Sequence, residues 1–116
     1  MCEALRIDAR YGTPDSKGET RRERNARFDV ASPNPVWPPK GMYLLEWFRA
    51  ATCTRQRDAN GLPLALAHTE WQAWAEMAAV EVRPEEYKGL LAMDRSYVNA
   101  LQTEIVEIRQ REAQTR

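Results

Sequence analysis

The last third of the chain constrains the rest. From Pro84 onward the apolar residues fall at Tyr87, Leu90, Leu91, Tyr97, Val98, Leu101, Ile105 and Ile108. That three- and four-residue spacing puts them on one face of a helix. Asp94 falls within the stripe, and the one glycine, Gly89, lies in the first turn. Pro84 suits the first helical position, Glu85 and Glu86 sit at the positive end of the macrodipole, and Arg109, Arg111 and Arg116 lie at the negative end. The pattern predicts a helix over residues 84–112. A stripe of that length must be covered, and what precedes it has to supply the cover.

Two shorter helices are predicted upstream. Leu44, Trp47, Phe48 and Ala51 share a face within a segment over residues 42–57, stopped by Asp58-Ala59-Asn60-Gly61, where Asn-Gly supports a left-handed turn. Pro63 then holds Leu62 to Leu66 extended. Thr69 with Gln72 reads as a capping box that opens a helix over residues 70–80, with Trp71, Trp74, Ala75 and Ala78 on one face. So short a helix is marginal alone and depends on packing through its two indoles.

Before Lys40 the texture changes. Five of the seven prolines fall there, apolar residues are sparse, and Arg21, Arg22, Arg24 and Arg27 are clustered. Leu5 to Tyr11 alternates apolar and polar, a weak strand signal. Residues 1–39 are therefore expected to be an arm, extended or disordered alone, that orders on a partner. Asn34 to Pro39 reads as extended, with Trp37 wrapped onto the chain's own core. The fold class expected is all-α: a small three-helix domain over residues 40–116, with a long C-terminal helix and this Pro/Arg-rich arm. With only two short helices ahead of it, the distal end of the long helix is left without neighbours.

Composition and motifs then limit the chemistry. Seventeen basic and seventeen acidic residues give a formal net charge of zero, so no global field argues for nucleic acid or an anionic membrane. No apolar run approaches the roughly 18 residues of a membrane span, and the charged N-terminus is unlike a signal peptide. Cys2 and Cys53 are expected to be free thiols, which fits the cytoplasm. His68 is the lone histidine, no metal-ligand spacing exists, and phosphate-loop, dinucleotide and nucleophile-elbow motifs are missing. Glu85 and Glu86 read as first-turn charges. Asp94 is expected to be a structural hydrogen-bond acceptor, because an unpaired carboxylate on an apolar stripe is costly. No enzyme, cofactor or metal site is expected.

Four tryptophans and four tyrosines are a heavy aromatic load for 116 residues, and aromatics left over from the core suit a protein interface. The order Pro38-Pro39, Leu44-Leu45-Glu46-Trp47-Phe48, Arg55, Gly61-Leu62-Pro63-Leu64, Thr69-Glu70-Trp71-Gln72-Ala73-Trp74, Pro84-Glu85-Glu86 and Met93-Asp94-Arg95-Ser96-Tyr97 resembles the tail assembly chaperones of tailed bacteriophages and prophages. The resemblance spans about residues 38–101; the arm departs from it. It implies a non-catalytic cytoplasmic protein of the bacterial host that binds the helix-rich tape measure protein of a growing tail. Expected partner-binding residues are Trp71, Trp74, Tyr97, Leu101, Ile105 and Ile108, and the long helix also offers a homo-oligomer contact. Two alternatives stand beside this reading. One is a virion structural component whose arm lies on a neighbouring subunit. The other, less favoured, is a nucleic-acid-binding regulator with Arg21, Arg22, Arg24 and Arg27 on phosphates.

Overall fold

A computed structural model describes residues 1–115. It is all-α among these residues: α1 (Cys2–Gly12), α2 (Arg21–Arg27), a single 3-10 turn (Pro39–Gly41), α3 (Met42–Thr52), α4 (His68–Met77) and α5 (Pro84–Gln114). The long C-terminal helix is present as expected. Its 31 residues, at 1.5 Å each, extend about 46 Å and account for the longest dimension of a molecule measuring 48 × 34 × 18 Å.

Residues 1–39 correct the sequence reading. They are not a loose arm, for α1 and α2 form within them and α1 packs along α5. The alternation from Leu5 to Tyr11 is not a strand. Ala4, Leu5, Ile7 and Ala9 are all buried by the helix, and Ala4 extends the apolar face one residue before the alternation begins. Two of the four are alanines, so the backbone of α1 can lie close against its neighbour. Arg6 and Glu3, three residues apart, add a surface ion pair. Thr20 caps α2 by accepting from the Glu23 N–H at 3.2 Å. Residues 28–38 carry no regular structure, as expected for a proline-rich segment, and Trp37 packs against the core with Arg49 over its ring at 5.4 Å.

The two middle helices are displaced from their predicted bounds. α3 ends at Thr52 rather than at residue 57. Thr52 Oγ1 donates back to the Phe48 carbonyl at 2.7 Å, and Arg55 leaves the helix to reach Asp94. Residues 52–67 then double back through an Asp58 turn, in which the Asn60 and Leu62 N–H groups donate to Asp58 Oδ1. Gly61 takes the expected left-handed conformation at φ 77°. α4 starts two residues early and its cap is Ala67, not Thr69: the Ala67 N–H donates to Glu70 Oε2 at 2.8 Å. It ends at Met77, where Ala79 turns left-handed at φ 55°.

The core gathers Leu5, Leu45, Phe48, Trp71, Leu90 and Met93. Four of the five helices contribute, and only α2 buries nothing.

Candidate functional site

α4, the link after it and the first two turns of α5 line a groove of about 480 Å³. Its chemistry follows from helical spacing. Trp71, Trp74 and Ala75 share one face of α4, while Tyr87 and Leu90 share one face of α5. Val82, in the link between the helices, closes one end. Leu90 and Trp71 are buried at its base, whereas Trp74 and Tyr87 are half-buried along its sides.

The rings form a connected array. Trp71 meets Trp74 edge-on at 6.4 Å and Tyr87 edge-on at 6.5 Å. Trp74 continues to Trp47 at 6.3 Å, and Trp47 to Tyr43 at 5.1 Å. Such edge-to-face contacts fix the rings relative to one another. The Trp71 indole N–H is buried with no partner among the described residues, an uncompensated desolvation at the foot of the groove.

The rim is polar. His68 Nδ1 is hydrogen-bonded to the Tyr87 hydroxyl, and burial raises the Tyr87 pKa. Tyr43 donates to Glu86 Oε2 at 2.7 Å, and Glu86 also accepts from the Arg83 N–H at 2.9 Å. The latter bond first, and Tyr43 second, hold the Glu86 carboxyl below its usual range. Over residues 68–88 the charges are Glu70, Glu76, Glu81, Glu85 and Glu86 against Arg83 and Lys88, so this segment is acidic although the whole chain is neutral, and none of these side chains lines the groove itself.

Of the residues singled out in the sequence, Trp71 and Trp74 line this groove. Tyr97, Leu101, Ile105 and Ile108 do not, and the expectation that the distal end of the long helix, with Ile105 and Ile108, lacks neighbours is corrected. Leu101 and Ile108 are buried, and Tyr97 and Ile105 half-buried, because the N-terminal segment covers α5. Arg10 reaches Glu107 at 2.9 Å, Arg111 lies 3.7 Å from Asp15, and the Ser16 hydroxyl donates to Glu112 at 2.7 Å.

The arginine cluster is likewise spent within the chain. Arg21 donates to both oxygens of Glu104 and to Glu107 at 2.7 Å. Arg22 donates to the Pro33 carbonyl and to Asn34 Oδ1, and Arg27 pairs with Glu19 at 2.8 Å. Arg24 and Arg27 lie over the Phe28 ring. Asp94 is the structural acceptor expected, and its donors are Arg55 Nη2 at 2.5 Å and the Leu66 N–H at 2.9 Å. It thereby pins the return loop to α5.

Sequence reasoning missed Glu104, which is wholly buried. Its signal was present, since it stands three residues after Leu101 and four before Ile108, on the apolar stripe itself. Among the described residues, no three His, Cys, Asp or Glu side chains are grouped as metal ligands, and none of the helices is long and apolar enough to cross a membrane. No protein family, curated protein or solved structure matches this chain.

Proposed function

We propose that this protein is a non-catalytic binding factor that grips an apolar helix face of a longer, helix-rich partner, in the manner of a phage tail assembly chaperone acting on a tape measure protein. The observation that carries the reading is the Trp71–Trp74–Tyr87 groove: an aromatic trough floored by Leu90 with the apolar lining that helix-in-groove recognition uses. The segment that carries the groove, residues 68–88, has five glutamates against two basic residues, which favours an occupant whose apolar face is flanked by lysine or arginine. Rings already fixed against one another lose little freedom on binding, which favours affinity.

The virion-component reading loses its special support, because the arm it relied on is folded against α5 in the same chain. The nucleic-acid reading loses Arg21, Arg22 and Arg27 to hydrogen-bonded partners in the same chain, which leaves Arg24, over the Phe28 ring, as the one member of the cluster with no such partner among the described residues.

The test is capture by the tagged protein from its native, phage-producing cells, with mass spectrometry of the bound proteins and of purified particles. Recovery of a long, helix-rich tail protein by the wild type but not by Trp74→Glu, with this chain missing from finished particles, is the expected result. Equal capture by Trp74→Glu would remove the groove from the account. Presence of the chain in particles would make it a structural component.

A further inference from the structure

A second cleft, sharing no residue with the aromatic groove, opens between α1, α3 and the loop after α3, with a volume of about 390 Å³. Its floor is apolar: Leu5, Phe48 and Leu101 line it and are all buried. Its wall is cationic, carrying the side chains of Arg49, Arg55 and Arg57.

Each guanidinium is held by a contact that leaves N–H groups free. Arg55 spends one nitrogen on Asp94 and one on the Leu64 carbonyl, and lies over both the Phe48 and Tyr97 rings at 5.9 and 5.7 Å. Arg57 spends only Nη1, on the Gly61 carbonyl at 2.8 Å. Arg49 rests its face on Trp37, which leaves its edge of donors unused. Asp94 neutralises Arg55, but neither Arg49 nor Arg57 takes part in an ion pair among the described residues. The one other carboxylate on the wall is Asp8. Two unpaired cations therefore face one anion. The Tyr97 side chain stands among them: burial raises its pKa first, Asp8 adds to this, and Arg55, Arg57 and Arg49 oppose it.

We propose that this cleft binds a small amphiphilic oxyanion, an organic phosphate monoester with a compact apolar or aromatic body. The phosphate meets Arg49 and Arg57, and the body rests on Phe48 and Leu101. Arginine forks match phosphate geometry in pairs. Forks already oriented by Trp37 and Gly61 lose less freedom on binding than free surface arginines. The apolar floor separates this ligand from bare phosphate, and the volume is within the range of small-molecule sites.

The experiment is titration calorimetry of the full chain at low ionic strength with phenyl phosphate, inorganic phosphate and benzyl alcohol. Phenyl phosphate is expected to bind saturably, more tightly than inorganic phosphate, with benzyl alcohol not binding. Arg49→Ala and Arg57→Ala each weaken phenyl phosphate by about tenfold, the scale of one charge-assisted contact. Both side chains are exposed, and circular dichroism checks that both variants fold. Asp8→Asn moves the other way and tightens binding, because it removes the repelling charge. That sign is one a fold defect does not produce. No saturable binding by about 10 mM, the weak limit of specific small-ligand affinity, would overturn the proposal. So would binding unchanged by both arginine substitutions, or equal affinity for inorganic and phenyl phosphate.

Discussion

Glu104 is wholly buried and its carboxylate is held by Arg21 through three N–H···O contacts of 2.7 to 3.0 Å. Arg10 stands farther off at 3.8 Å. With Glu107 completing the group, two cations meet two anions, so the cluster is neutral as a unit. Its fragility lies in removing one member. Arg21→Ala strands a buried carboxylate, and we expect a loss of about 3 kcal/mol in urea-unfolding stability, the low end for a broken buried pair because Arg10 stands nearby to take over part of its role. Adding Glu104→Leu to that variant should recover most of the loss, since the stranded charge goes with it. A double variant no more stable than Arg21→Ala would mean that the cost comes from lost packing of the arginine stem. Ala79 shows the opposite case, a residue whose backbone resists its place. At φ 55° an alanine Cβ crowds its own carbonyl, and the strain is tolerated because the Val80 N–H closes back on the Ala75 carbonyl at 2.9 Å. Ala79→Gly should therefore raise stability by about 0.5–1 kcal/mol, after allowing for the extra freedom that glycine has when unfolded. The same urea titration decides it.

At the scale of elements, the pairing of α1 with α5 matters most. α5 needs cover along its stripe, and α1 provides a large part of it with Ala4, Leu5, Ile7 and Ala9. Leu5 is 2% exposed, so Leu5→Ala should cost about 2–4 kcal/mol, as for other buried leucines. A loose arm would give a change near zero. Hydrogen exchange offers a second check, because amides of α1 should then be protected together with those of the distal turns of α5. α4 is the element built for contact. It packs against α3 on one side, opens to the groove on the other, and its ten residues rely on Trp71 and Trp74 for anchorage. That double use of two indoles restricts what a binding test can change. Trp74, half-buried, can be altered with less damage than Trp71, which is 3% exposed and part of the core.

For the molecule as a whole, the folded charge pattern predicts how stability responds to acid. Glu112 titrates below the ordinary range because the Ser16 hydroxyl and then the Ser16 N–H donate to it, and Glu86 because the Arg83 N–H and then Tyr43 donate to it. A carboxyl whose folded pKa is depressed contributes fully above its unfolded pKa, near 4.3 for glutamate. That contribution disappears as pH falls through the lower folded value. Stability should thus hold near neutrality and decline below about pH 4.5. Glu112→Gln should be less stable at pH 7 and should lose less on acidification, as read from urea midpoints across the series. A variant whose acid loss matches the wild type would show that Glu112 makes no contribution through Ser16. Because Glu112 ties the 13–20 loop to the last turns of α5, the acid response also reports on how the N-terminal segment is held.

What could be read from the sequence was what repeats locally. The stripe from Tyr87 to Ile108, with Pro84 at its start, fixes a long helix whatever surrounds it, since period and caps are properties of neighbouring residues. The Asn60-Gly61 turn, the placing of Trp37 on the core and the acceptor role of Asp94 follow from similarly local chemistry. The N-terminal segment was not legible in this way. Leu5 to Tyr11 satisfies a two-residue and a helical period almost equally, and only the close approach to α5 selects the helix. The arginines of α2 look like a free basic run until Glu104 and Glu107, more than eighty positions away, are brought against Arg21. The groove between α4 and α5 was half visible as two tryptophans, but Tyr87 and Leu90 join them only where the fold brings the start of α5 beside α4. Local pattern decided which segments are helical wherever one period dominated. Tertiary contact decided the ambiguous segment, and it decided which charged and aromatic side chains are consumed by the fold and which remain to bind.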